Sequence, residues 1–164
     1  MNPEARLTEL GIELPPPPEP GGNYLPFRRC GNVVYLAGVI SMSAHDGTWT
    51  GQVGAERNLE EGRLAARVCA LNALAALRSV TGSLDDVKQL LYLGGYVNAV
   101  AGYGESPSVI NGASDLFAEI FGEAGRHARA AVSVAGLPRN ATVEIQLTAE
   151  MRNAETGAPA SPPE

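Results

Sequence analysis

The chain has 164 residues, of which 45% are hydrophobic and 18% charged, and its formal net charge is −6. This length gives one domain with its own core, and the apolar fraction excludes a chain that is disordered throughout. The acidic balance weighs against nucleic acid as the main partner, because that kind of binding needs a basic surface. The sequence shows neither a signal peptide nor an apolar run of about 20 residues, so we expect a cytoplasmic protein that does not bind membranes.

The two ends of the chain differ in composition from the middle. Four consecutive prolines at 15–18 favour polyproline II, a stiff conformation without internal hydrogen bonds. Residues 153–164 are rich in Pro, Ala and Glu and have no apolar periodicity. We therefore expect a flexible arm over 1–20, a single domain over 21–152 and a flexible tail over 153–164.

The first half of the domain begins with a predicted hairpin. Segments 27–30 and 33–36 flank Gly31-Asn32, a pair that suits a two-residue turn. A polar connection over 45–54 follows, and then a predicted amphipathic helix over 57–80, which Gly82 ends. The helical spacing predicts a buried face that consists of Leu64, Val68, Leu71 and Ala75.

The second half alternates strand and helix. A strand over 87–97 precedes a helix that we expect to begin at Ser106-Pro107, with Ser106 as the N-cap. Strands follow over 130–135 and 143–150. The order β-β-α-β-α-β-β predicts an α+β fold in which two helices cover one face of a mixed, mainly antiparallel sheet.

Four separated pieces of the sequence resemble one known family. Residues 128–138 (ARAAVSVAGLP) and 143–149 (VEIQLTA) are similar to its arginine strand, Leu-Pro turn and final strand, while 22–24 (GNY) and 35–38 (YLAG) are similar to its upstream segments. The pieces occur in the family's order over about 130 residues, 21–152. The chain thus resembles a divergent subgroup of the RidA or YjgF/UK114 family, also called endoribonuclease L-PSP.

The resemblance implies a chorismate-mutase-like fold, a homotrimer with sites between subunits, and hydrolysis of reactive 2-imino or 2-enamino acids to 2-keto acids and ammonia. The ligand would be a small carboxylate-bearing imine, enamine or keto acid. A trimeric keto-acid-binding regulatory protein without catalysis is one alternative, and a related catabolic hydrolase or ribonuclease of the same family is another. His45 and His127 are too isolated to suggest a metal site, and no phosphate-binding loop is present, so we predict no metal and no cofactor.

Arg129 and Glu144 are the candidate catalytic residues that the resemblance selects. A guanidinium can bind the substrate carboxylate with two hydrogen bonds, and the alternative for Arg129 is a structural salt bridge. A carboxylate can activate water for attack on the imine carbon, and the alternative for Glu144 is a solvated strand residue.

Other substrate-binding candidates are Tyr24 as a lid, Gly38 as a point of close approach, and Asn111. Tyr24 could instead anchor the arm, Gly38 could be an ordinary strand end, and Asn111 could cap a helix. Ala37 and Ala131 stand where many members have Ser or Thr and Cys respectively. These departures exclude thiol chemistry at Ala131 and suggest a reshaped pocket.

Overall fold

A computed structural model describes residues 2–45 and 47–152. Its three α-helices are α1 (Pro3–Glu9), α2 (Leu59–Thr81) and α3 (Ser106–Phe121). Its strands are β1 (Phe27–Cys30), β2 (Val33–Leu36), β3 (Val39–Ile40), β4 (Met42–Ser43), β5 (Gly47–Thr48), β6 (Val87–Asn98), β7 (Ala128–Val134) and β8 (Val143–Met151). The segment 153–164, for which we predict a flexible tail, lies outside the described residues.

One mixed sheet forms the centre of the domain, with strand order β1-β2-β8-β6-β7. All its pairs are antiparallel except β6 and β7, which are parallel and are connected through α3. Helices α2 and α3 cover one face of the sheet. This confirms the predicted α+β fold class. The structure adds three strands of two residues, β3 to β5, in and around the predicted polar connection.

Strand β8 shows how the sheet separates a core face from an open face. Every second residue from Val143 to Met151 is buried, whereas the residues between them are half-buried. The buried set faces α2 and α3, and the other set, which includes Glu144 and Gln146, lies on the open face of the sheet. This is the alternation expected of a strand with one face in the core.

Helix α2 begins and ends at strong local signals. The Asn58 side chain accepts a hydrogen bond from the Glu61 amide, and the Glu61 carboxylate accepts one from the Asn58 amide, which is a capping box. Gly82 ends the helix in the left-handed conformation, at φ 90°. By length and composition alone α2 could span a membrane, but most of it is buried inside the domain, so it is a core helix of a soluble type of domain.

The predicted buried face of α2 is wrong at Leu64, which is 49% exposed. Helix α2 packs against both the sheet and α3, so its buried surface is wider than the single stripe of residues that the spacing predicts. Leu64 lies at the outer margin of that surface. Small residues allow this close packing. A Cβ added to Gly112 of α3 would lie 2.0 Å from the Arg63 carbonyl oxygen of α2, so the two helix backbones are nearly in contact.

The N-terminal segment is more ordered than the flexible arm expected over 1–20. Leu7 of α1 is only 2% exposed and belongs to the main core. The Glu4 carboxylate pairs with Arg78 of α2 and accepts a hydrogen bond from the Leu84 amide at 2.8 Å. The Glu4 amide donates to the Asp85 side chain at 3.0 Å. A helix of seven residues is too short for its apolar period to stand out in the sequence.

The predicted cap of α3 also differs from the structure. Ser106 is the first helical residue, Glu105 takes the N-cap position, and no side chain caps the helix. The Ser106 hydroxyl instead lies 2.6 Å from the Ser133 hydroxyl of β7. The hydroxyl therefore links α3 to the edge strand of the sheet rather than closing its own helix.

Candidate functional sites on two surfaces

A break in the sheet creates the first candidate site. Strands β2 and β3 both pair with β8, but the ladder is interrupted at Ala37-Gly38 between them. The Ala37 amide bonds to Pro26 O at 2.8 Å instead of to β8. Beside the break, β8 presents Gln146 and, in register with Ile40, Glu144 on the open face, so a notch forms where backbone pairing is missing.

Glu144 lies at the centre of this notch. A cleft of about 330 Å³ is lined by Gly38, Tyr96, Leu137, Glu144 and Gln146. A Cβ added to Gly38 would lie 2.2 Å from Glu144 Oε1, so the absence of a side chain is what allows the carboxylate its position. Partial burial raises the pKa of Glu144. Among the described residues, none donates a hydrogen bond to this carboxylate or pairs with it.

Arg129 lies in a second cleft, of about 390 Å³, between α3 and the start of β7. Its Nη1 donates to Asn111 Oδ1 at 2.8 Å and to Ser114 Oγ at 3.0 Å, and its Nη2 donates to Pro107 O at 3.3 Å. All three acceptors are uncharged. Asp115 on the same cleft is paired with Arg63 at 3.1 Å. Within the described part of the chain, no carboxylate neutralises Arg129.

A guanidinium carries five N–H donors. Three of the five N–H groups of Arg129 donate to Asn111, Ser114 and Pro107, which leaves Nε–H and one Nη2 hydrogen for a ligand. The arrangement fixes the side chain and keeps its charge available, which is what recognition of a small carboxylate requires.

His127 extends this arrangement behind Ser114. Its Nδ1 lies 2.7 Å from Gly125 O and its Nε2 lies 3.1 Å from Ser114 Oγ. The ring meets Phe117 edge to face at 5.8 Å between centroids. Burial, together with the charge of Arg129, lowers the pKa of His127, although the hydrogen bond to Gly125 acts in the opposite direction.

The two clefts lie on opposite faces of the sheet. In the register of β6 and β7, Arg129 pairs with the buried Leu93, so its side chain is on the helix face. Glu144 pairs with Tyr96 on the open face. The structure therefore brings Arg129 together with Asn111, and Glu144 together with Gly38, but it does not bring Arg129 and Glu144 to one site within a single chain.

The remaining candidate residues lie close to one or other cleft. Tyr24 is 51% exposed and shares a small crevice with Ala37 and Gly38. Its hydroxyl accepts a hydrogen bond from the Gly21 amide at 3.0 Å. Ala131 is half-buried on the same face as Arg129 and packs against the core.

Sequence reasoning missed three residues of these clefts. Tyr96 could have been found only from the antiparallel register that places it beside Glu144. Ser114 follows Asn111 by three residues and so shares its helix face, a signal that was present in the sequence. His127 lies two residues before Arg129 but contacts α3, which only the packing of helix on strand reveals.

In the range 2–45 and 47–152, no three His, Cys, Asp or Glu side chains lie close enough together to hold a metal ion. Neither cleft thus offers a metal site built from these residue types.

Comparison with known proteins identifies the family. The sequence model described as "YjgF/chorismate_mutase-like, putative endoribonuclease" matches residues 4–151. The protein TCP17 of Trypanosoma cruzi is 41% identical over 150 residues, which cover 91% of this chain and 94% of that protein. A crystal structure from Agrobacterium tumefaciens of a protein with unknown function is 41% identical, with a TM-score of 0.83 over 91% of this chain and 92% of that one.

A second crystal structure, of a "putative endoribonuclease" from Shewanella oneidensis, is 37% identical, with a TM-score of 0.87 over 92% of this chain and all of that one. The family match spans α1 as well as the sheet and both long helices, so it covers nearly all of the described residues. The chain belongs to the YjgF/chorismate-mutase-like family.

Proposed function

We propose that this protein is a metal-free hydrolytic deaminase of small 2-imino or 2-enamino acids. The observation that carries the proposal is the state of Arg129, which is held by three uncharged acceptors and has two donors left for a ligand. An arginine with a purely structural role would be expected to pair with a carboxylate. The resemblance of the arginine strand to that of the imine deaminases supports the same conclusion.

The chemistry requires a carboxylate-binding group and a base. Arg129 would hold the substrate carboxylate, which places the adjacent C=N carbon at a fixed distance. Glu144, whose pKa is raised by burial, would take a proton from water as the water oxygen bonds to that carbon. Transfer of that proton to nitrogen completes the carbinolamine, C(OH)NH2. The carbinolamine hydroxyl then gives its proton, through Glu144, to the nitrogen as the C–N bond breaks and C=O forms, so that ammonia and the 2-keto acid leave.

A complete site of this kind needs two copies of the chain, because Arg129 and Glu144 face opposite sides of one sheet. We propose that Arg129 of one subunit meets Glu144 of the next in a homotrimer. The open sheet face favours such an assembly, since it carries three exposed apolar or aromatic side chains: Tyr35, Tyr92 and Val132, which are 41–47% exposed.

A regulatory protein that binds a keto acid without catalysis is the second candidate. It is favoured by Ala37 and Ala131, since the resemblance places these two residues where many members of the family have a hydroxyl and a thiol, respectively. Both candidates need Arg129, and only the deaminase needs Glu144.

The decisive experiment generates 2-aminoacrylate with a serine or threonine dehydratase and traps its imine with semicarbazide. The wild-type protein should suppress semicarbazone formation, and Arg129→Ala should not. Arg67→Ala is the matched control, since Arg67 lies on α2 and has no ion pair or hydrogen bond through its side chain to another described residue. Equal suppression by wild type and Arg129→Ala would reject the assigned role.

Mixing two inactive variants tests the intersubunit site. When Arg129→Ala and Glu144→Gln subunits are unfolded together and refolded at equal amounts, about a quarter of the interfaces should combine an intact Arg129 with an intact Glu144 by random assembly into rings. Activity near a quarter of wild type supports a shared site. Activity no higher than that of the separate variants contradicts it.

A further inference from the structure

The cleft at Arg129 contains a partly buried series of hydrogen bonds that the reaction outlined above does not use. It runs from Gly125 O through His127 and Ser114 to Arg129, with heavy-atom distances of 2.7, 3.1 and 3.0 Å. These hydrogen bonds join the turn before β7, helix α3 and the edge strand β7.

A carbonyl oxygen can only accept, so His127 Nδ1 must carry the hydrogen that points to Gly125 O. In the neutral imidazole, Nε2 is then an acceptor, and the Ser114 hydroxyl must donate to it. The Ser114 oxygen therefore has its lone pairs directed away from the ring, where one accepts from Arg129 Nη1. Each member has one orientation that satisfies its neighbours.

We propose that His127 and Ser114 are positioning residues, which orient the Arg129 guanidinium for the carboxylate of the substrate or product. This inference rests on the proposed function for the identity of the ligand, but not for the hydrogen-bond chain itself. The edge-to-face contact with Phe117 and the bond to Gly125 hold the imidazole in place from two sides. Lowering of the His127 pKa by burial keeps the ring in the neutral form that the chain needs.

The first measurement requires no activity. A long-range ¹H–¹⁵N NMR spectrum of the full chain at pH 7, with the His127 signals assigned by substitution, reports which ring nitrogen bears the proton. The proposal expects protonated Nδ1 and unprotonated Nε2, and a shift of the Nε2 signal in Ser114→Ala. A ring protonated at Nε2 would overturn the proposal whatever the protein does with imines.

The second measurement is the Kd of 2-oxobutanoate for a matched set of variants. His127→Asn retains a donor near Nδ1 but no acceptor at Nε2, whereas His127→Gln retains an acceptor there. We expect Ser114→Ala and His127→Asn to raise Kd about ten-fold, since the first removes an acceptor of the Arg129 guanidinium and the second removes the acceptor that orients the Ser114 hydroxyl, and His127→Gln to stay within about three-fold of wild type. Thermal unfolding confirms that each variant folds.

The third measurement shows whether the effect passes through the guanidinium. In an Arg129→Ala background, His127→Asn should cause no further change in Kd, while a purely structural role would weaken binding in both backgrounds. Equal Kd values for the Asn and Gln variants would also overturn the proposal. If the wild type binds no keto acid at all, the proposed function fails, and the NMR result still decides whether the hydrogen-bond chain exists.

Discussion

Replacement of Gly38 by alanine isolates the role of the notch between β2 and β3. The added Cβ would lie 2.2 Å from Glu144 Oε1, and 3.2 Å and 3.5 Å from Cδ and Cγ of the same side chain. The carboxylate must therefore retreat by roughly 1 Å to reach van der Waals distance. The atoms in the way belong to the end of a flexible, half-exposed side chain, so the fold can yield at small cost.

A displacement of about 1 Å at a catalytic group can reduce the rate on the order of 100-fold, which is about 2.7 kcal/mol of transition-state stabilisation. We expect that loss in semicarbazone suppression by Gly38→Ala, with a melting temperature close to that of wild type. Gly104→Ala is the control, because a Cβ there would meet no atom within 4 Å. It should retain full activity.

A double variant provides a second test of the Gly38→Ala effect. If Gly38→Ala acts by moving the Glu144 carboxylate, adding it to Glu144→Gln should cause little further loss. Additive losses in the double variant would show that Gly38→Ala does not act through the Glu144 carboxylate. Full activity of Gly38→Ala itself would show that the reaction does not depend on the position of that carboxylate in the notch.

Two further predictions concern stability. Leu7→Ala should lower the free energy of unfolding by about 2–4 kcal/mol in a denaturant titration, because Leu7 is buried in the main core; a loss below about 0.5 kcal/mol would show that α1 is not part of the folded unit. Glu144→Gln should raise the melting temperature at pH 7 but not at pH 4. The pKa of the Glu144 carboxyl is raised above 4.5 in the folded protein, so the stability that this group contributes in its protonated form is lost as the pH rises from 4.5 through the folded-state pKa. An equal change in melting temperature at pH 4 and pH 7 would contradict this.

The parts of the fold that follow from local signals were predictable. Gly31-Asn32 indicated the hairpin, and the alternation from Val143 onward indicated a strand with Glu144 on its polar face. The face that Arg129 takes was not predictable, because polarity in β7 would turn Val132 rather than Arg129 towards the helices, yet Val132 is 46% exposed on the open face. Its side is fixed by the parallel register with β6, which no local pattern encodes.

Contacts between separate elements account for the other differences. The hydroxyl of Ser106 has the right chemistry for a cap, yet Glu105 takes the N-cap position and the Ser106 hydroxyl bonds across to Ser133 of the edge strand. His127 and Ser114 are thirteen residues apart, and their contact depends on how α3 packs beside β7. Such pairs become visible only when the packing is known.

The placement of the two clefts also restricts the symmetry of any assembly that completes them. A two-fold dimer uses the same patch on each subunit, so it could join Arg129 to Glu144 only if both residues belonged to one patch, whereas they lie on opposite faces of the sheet. A contact between the Arg129 surface of one copy and the Glu144 surface of another is heterologous. Each subunit then offers an Arg129 half-site on one side and a Glu144 half-site on the other. The assembly must close into a ring to leave no half-site unfilled. Every subunit in the ring therefore supplies Arg129 to one neighbour and Glu144 to the other.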